Sequence, residues 1–204
     1  MPDFEQRLRD ALEAHPPNRR RIEDSRAAAV LIPVVAGDPP TLIFTVRTDT
    51  VRSHKGQISF PGGSEDEGEG LERTALRETH EEIGLDPSAV KILGELDTFP
   101  TFVSGYAVTP FVGWLDSPPD LAPNPAEVAA ILEVPLTDLN QEIRADPGFT
   151  HNGRTYPTEA WIWREHVIWG VTAYVLRRFL GILGSHGIID PPEGDPDWLR
   201  EPLP

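Results

Sequence analysis

Three glutamates, Glu78, Glu81 and Glu82, stand at i, i+3 and i+4 in a segment whose apolar spacing predicts a helix over residues 69–83. At 3.6 residues per turn this spacing puts all three carboxylates on one face, with Leu76 and Ile83 turned to another. At about 6 Å and an effective dielectric of about 20, each like-charged pair costs on the order of 2 to 3 kcal/mol. A cation offsets that repulsion. Hard oxygen donors without cysteine or paired histidine select Mg²⁺ or Mn²⁺, and Mg²⁺ is held by few carboxylates while phosphates and water complete its octahedron. Alone, an E-x-x-E-E pattern is more often a solvated charged face, here with Arg73 and Arg77 beside it, so its surroundings decide the reading.

Those surroundings are informative. Gly62 and Gly63 lie just upstream, a backbone without Cβ atoms that can approach a ligand or donate a carbonyl to a metal, and Pro61 stiffens the entry. The acidic run SEDEGEG lacks the alternating ligand order and terminal glutamate of a calcium-binding loop. Ahead of it, Arg47, Arg52 and Lys55 form a basic cluster, and the planar arginine fork matches phosphate oxygens. For Lys55 ordinary surface charge is an equal reading.

The elements that must carry these residues follow from the pattern. Phe4, Leu8 and Leu12 mark a short amphipathic helix; residues 26–37 read as a buried strand, joined through GDPP to a second strand over 41–48 as a hairpin. An extended, glycine-punctuated stretch over 53–68 feeds the acidic helix, and Gly84 suits its C-cap. Further strands are predicted over 90–99 and 106–115, followed by a loop containing Pro118, Pro119, Pro123 and Pro125. Asn152-Gly153 signals a hairpin turn, Trp161 and Trp163 read as core, and residues 169–183 form a helix expected to pack on the sheet. The chain of 204 residues is expected to build one core, with residues 1–25 as a helix and loop, 26–184 as the main domain and 185–204 as a proline-rich acidic tail.

Composition narrows the function. Without cysteine, thiolate nucleophiles, disulfides and cysteine-ligated metals are excluded. A formal net charge of −15 repels nucleic acid, yet a small phosphorylated molecule is still accommodated where divalent cations and a local basic cluster reverse the field. The N-terminus lacks the apolar run of an export signal, and the longest apolar run, residues 27–36, is far below the roughly 20 residues of a membrane span. A cytoplasmic protein is expected.

The segment FPGGSEDEGEGLERTALRETHEEIGL resembles the box of the Nudix hydrolases, carried by Gly63, Glu69, Arg77, Glu78, Glu81, Glu82, Gly84 and Leu85. Its one departure is Thr79, where the family usually has an aliphatic side chain. The preceding FTVRTDTVRSHKGQISFPGG is similar to the signature of the coenzyme A pyrophosphatase branch, through Thr45, Arg47, Thr48, Arg52, Gly56, Phe60, Pro61, Gly62 and Gly63. Similarity continues through SGYAVTPFVG, NPAEVAAILEVPL and IWGVTAYVL.

The resemblance implies an α/β/α sandwich with a mixed sheet, the Nudix fold. It also implies Mg²⁺- or Mn²⁺-dependent hydrolysis of coenzyme A or its derivatives to 3′,5′-ADP and 4′-phosphopantetheine. It makes Glu78 and Glu82 the principal metal ligands, Glu81 a further ligand or base, Gly62 a carbonyl ligand, and Glu127 a ligand or general base reaching in from a loop. Arg77 and Glu69 are expected to pair structurally. Within the enzyme class the alternative is a broader hydrolase of ADP-ribose, NADH or nucleoside triphosphates; outside it, a non-catalytic nucleotide-sensing module, disfavoured because all box glutamates are present. A homodimer is left open.

Overall fold

In a computed structural model, the structure describes residues 4–19, 22, 24–48, 56–101, 105–140, 143–151 and 154–190. Where one core was expected, the chain divides into two compact units, residues 1–136 and 137–204. The first contains α1 (Phe4–Glu13), β1 (Arg26–Val35), β2 (Thr41–Arg47), β3 (Ile58–Ser59), β4 (Gly62–Ser64), α2 (Leu71–Ile83), β5 (Lys91–Glu95), β6 (Phe99–Pro100), β7 (Tyr106–Leu115) and β8 (Val128–Pro135).

The apolar strand β1 runs parallel to β7 along its whole length, from Arg26↔Tyr106 to Val35↔Leu115. The predicted hairpin with β2 is present but short: β1 and β2 pair only at Val34↔Leu42 and Val35↔Thr41. Beyond that point they part, and residues 58–64 enter the gap. There β3 pairs with β2 at Thr45↔Ser59, and β4 pairs with β1 at Ala28↔Ser64 and Val30↔Gly62. The sheet is completed by β8 antiparallel to β2 and by β5 and β6 antiparallel to β7. The single strand expected over 90–99 is thus two, separated after an irregularity between Ile92 and Gly94. The glycine loop is therefore a pair of sheet strands, held by ladder hydrogen bonds on both sides.

Side chains alternate across β1 and β7, so each face has its own cover. On one face Ala29, Leu31, Val35, Phe111 and Leu115 pack with Ala75 and Ile83 of α2. Complete burial of a side chain such as Ile83 contributes about 1.5 to 3 kcal/mol. On the other face Phe4 of α1 stacks on Trp114 with ring centroids 6.0 Å apart, and Leu12 lies against Gly94. Helices thus flank a mixed sheet on both faces.

The acidic helix starts at Leu71, two residues later than expected, because Gly70 takes φ 88 and the Glu69 carboxylate is engaged elsewhere. It ends as predicted: Gly84 adopts φ 71 and its amide donates to the His80 carbonyl at 2.8 Å. The second unit holds β9 (Ile143–His151), β10 (Arg154–Trp163) and β11 (His166–Trp169) in one antiparallel sheet, and α3 (Gly170–Ser185) packs against β10 and β11. Trp161 and Trp163 are buried there, and the Trp163 indole donates to Asp138 at 2.9 Å. The Asn152-Gly153 turn lies outside the described residues, although the strands it joins do pair. Among the described residues no helix is long and apolar enough to cross a membrane.

Candidate active site

The three glutamates of α2 share one face but not one depth. Glu82 borders the buried side of the helix and is 4% exposed, whereas the side chains of Glu78 and Glu81 are 20% and 55% exposed. Thr74, Ala75, Thr79 and Ile83 bury the helix face beside them. Thr79 occupies its apolar surroundings without leaving a polar atom unpaired: its hydroxyl donates to the Ala75 carbonyl one turn earlier, at 2.6 Å.

β4 runs across the inner edge of this helix. The Gly62 amide donates to Glu82 Oε2 at 3.2 Å. At Gly63 a Cβ atom would fall 2.4 Å from the Glu78 carboxyl carbon, so only glycine lets the strand and this carboxylate come together. From the end of β2, Arg47 places Nη1 3.9 Å from Glu82 Oε1. Its Nε is buried and has no hydrogen-bond partner among the described residues.

The loop ahead of β8 closes the remaining side. The Ala122 and Asn124 amides donate to the Ile83 and Glu82 carbonyls at 2.9 and 2.8 Å, which clips the loop to the C-terminal end of α2. Just past β2, the Thr48 amide donates to the Glu127 carbonyl at 2.9 Å. Glu127 is thereby brought close enough to repel both Glu78 and Glu82.

The electrostatics divide accordingly. Burial pushes the Glu82 carboxyl up to about 7; the Gly62 amide and Arg47 pull the other way, and Glu127 and Glu78 add to the rise. Burial also raises Glu78, with Glu81 and Glu127 adding to it, against the pull of Arg77. On the outer edge Arg77 does the opposite to Glu69. Its Nε and Nη2 donate to the two Glu69 oxygens at 2.7 and 3.1 Å, and this bidentate pair, with the Thr74 hydroxyl and the Asp66 amide, holds Glu69 down to about 2. Arg77 also donates to the Ser64 carbonyl at 3.2 Å and reaches Glu78 at 2.9 Å and Glu81 at 3.1 Å. The expected structural pair is thus the centre of a network tying the glycine strand to the helix.

Of the residues singled out by sequence, Glu78, Glu82, Gly62, Gly63, Arg47 and Glu127 come together. Glu81 is directed outward to Arg77. Arg52 and Lys55 lie outside the described residues. Among the described residues no three acidic or histidine side chains converge closely enough to enclose a metal ion by themselves. The inner edge nonetheless suits a cation that relies on few protein ligands. It offers two adjacent carboxylates whose ionisation is opposed by burial and mutual repulsion, and Gly63 keeps the space in front of one of them clear of side chain. The residues missed by sequence reasoning are Asn124 and Thr48 as loop anchors; the Pro-Asn-Pro run was the available signal.

The NUDIX domain family matches residues 25–156 of the chain, which takes in every residue of this site. The chain belongs to the Nudix family. Its relatives include a protein named uncharacterized Nudix hydrolase NudL from Photorhabdus laumondii, 38% identical over 87% of this chain and 95% of that protein. Another of the same name, from Cronobacter sakazakii, is 40% identical over 79% and 85% of the two chains. Among solved structures, a NUDIX hydrolase from Alicyclobacillus acidocaldarius is 20% identical, with a TM-score of 0.47 over 59% of this chain and 83% of that one. As a Nudix hydrolase the protein is a pyrophosphohydrolase, acting on small phosphorylated substrates of the kind this family cleaves.

Proposed function

We propose that this Nudix hydrolase cleaves the pyrophosphate bond of coenzyme A or its derivatives, using Mg²⁺ or Mn²⁺, to give 3′,5′-ADP and 4′-phosphopantetheine. The observation that carries the substrate reading is the segment preceding the box. Of the described residues of its coenzyme A pyrophosphatase-like signature, Thr45 and Arg47 lie on β2, Gly62 and Gly63 on β4, and Thr48, Gly56, Phe60 and Pro61 in the segments adjoining β2, β3 and β4; Arg47 and Gly62 both approach the Glu82 carboxylate of α2.

In this reading Glu78 and Glu82 hold the cation, with the Gly62 carbonyl as a third donor and Glu81 as a further ligand or base. A bound divalent cation supplies neutralisation of the bridging phosphates and lowers the pKa of an attacking water. The protein's share is positioning. Arg77 fixes the glycine strand against α2, so that the ligands sit on a rigid sheet and helix. Arg47, with Arg52 and Lys55, receives phosphate oxygens; the Nε of Arg47, buried and without a partner among the described residues, supports this, since a buried donor without a partner costs about 1 to 3 kcal/mol until one arrives. Glu127, brought in by its loop, takes the proton of the attacking water or joins the ligand set. Water adds to one phosphorus as the bond from the bridging oxygen to that phosphorus breaks.

The deciding experiment incubates the purified protein with Mg²⁺ or Mn²⁺ and equimolar coenzyme A, ADP-ribose, NADH and ATP, separated chromatographically before and after. Selective conversion of coenzyme A to 3′,5′-ADP is expected. Faster cleavage of another nucleotide moves the assignment to a broader nucleoside-diphosphate hydrolase, and cleavage of none with either metal favours a nucleotide-sensing module.

A further inference from the structure

The loop 121–127 delivers Glu127 to the carboxylate edge although it has no regular secondary structure of its own, so something must fix its path. Among the described residues Asn124 makes four hydrogen bonds. Its amide donates to the Glu82 carbonyl at 2.8 Å, which fastens it to the same residue whose carboxylate is the deepest of the site. Its Oδ1 accepts from the Ala126 amide at 3.1 Å, closing an Asx-turn. Its carbonyl accepts from the Glu127 and Val128 amides at 3.0 and 2.8 Å. Pro123 and Pro125 flank it, and Pro125 disfavours the helical conformation at Asn124, which reduces the alternatives open to the loop. On the far side, Thr48 holds the Ala126 and Glu127 carbonyls through its hydroxyl and amide at 3.3 and 2.9 Å.

We infer that Asn124 is the positioning residue that locks Glu127 against Glu78 and Glu82, by joining the C-terminal end of α2 to the start of β8 through a side-chain-closed turn. Only the Asx-turn depends on the side chain, since the other three bonds are made by backbone that any residue has. Replacing the side chain therefore loosens the turn without cutting the attachment to α2. The inference rests on the role proposed above for Glu127.

The test compares Asn124→Ala, Asn124→Ser, Glu127→Gln and the double variant Asn124→Ala/Glu127→Gln, with kcat and KM measured on the substrate cleaved fastest in the panel and thermal melts on each protein. Serine can close the same turn with its hydroxyl and adds no charge. Asn124→Ala is expected to lower kcat about tenfold with KM within twofold, to melt within a few degrees of the wild type, and to be restored to within about threefold of wild-type kcat by serine. Because Asn124 acts through Glu127, the double variant should be no slower than Glu127→Gln alone. Wild-type kcat in Asn124→Ala, or serine no better than alanine, or multiplicative losses in the double variant, overturns the inference while leaving Glu127 in place. Wild-type kcat in Glu127→Gln overturns the role of Glu127 and this inference with it. If Asn124→Ala does not fold, serine and the wild type decide: a serine variant more than tenfold slower at an unchanged melting temperature overturns the inference, and one within threefold upholds it.

Discussion

The inner edge of α2 and the turn that leads into the helix carry the same residue type and treat it in opposite ways. On the inner edge Glu82 and Glu78 are raised by burial and by neighbouring carboxylates, and Glu82 reaches about 7. In the turn Glu69, bonded through both oxygens to Arg77, is held down to about 2. A carboxylate satisfied by a permanent arginine is a fastening. One left without sufficient counter-charge suits a cation, the role proposed above for Glu82 and Glu78. The difference lies in burial and in the counter-charge each carboxylate receives: Glu82 meets the Gly62 amide and a distant Arg47, Glu78 a single Arg77 nitrogen at 2.9 Å, and Glu69 a bidentate guanidinium.

The largest expected effect breaks the inner edge. Glu82→Gln should lower kcat by about a thousandfold or more at saturating Mg²⁺, because removing a ligand removes the charge that places the cation; substantial residual turnover would speak against Glu82 as a ligand. Next comes Gly63→Ala, which pushes a methyl group into the Glu78 carboxylate. A loss of about a hundredfold in kcat is expected with a modest change in melting temperature, since a displacement of about 1 Å at a reacting site costs that much. An unchanged kcat would mean that Glu78 works equally well from another rotamer. Glu127→Gln should cost tenfold or more in turnover, toward the lower end of general-base effects of about 10² to 10⁴, and wild-type turnover would remove its role.

The turn should report in stability instead of turnover. A carboxyl held below its ordinary value of 4.5 favours the folded state above that pH, and the benefit is lost as pH falls toward about 2. The melting temperature of Glu69→Gln should therefore lie below that of the wild type at neutral pH, with the gap narrowing as pH is lowered through 4 to 2.5. A gap independent of pH would show that Glu69 contributes through packing and not through its charge.

Much of this was legible in the residues. The box helix, its end at Gly84, the glycine approach and the pairing of Arg77 with Glu69 depend on local spacing and on the absence of a Cβ atom, which a sequence displays directly. Less legible was the path of the strands. The hairpin of β1 and β2 is short because residues 58–64 compete for the same edges, and no local pattern announces a competition between distant segments. The division after Leu136 was equally invisible, since both units are rich in apolar strands.

By itself the sequence determined which chemistry is compatible: carboxylates at helical spacing beside paired glycines, in a chain without cysteine, fit an oxygen-ligated divalent cation, and the resemblance to the Nudix box implies phosphate substrates. It could not say which glutamate would be deep and which would face outward, because i, i+3 and i+4 place all three on one face and depth depends on what packs beside it. That was decided by β4 running along α2 and by the loop clipped to the Glu82 and Ile83 carbonyls. These long-range contacts surround Glu82 with backbone and leave Glu81 exposed to its arginine.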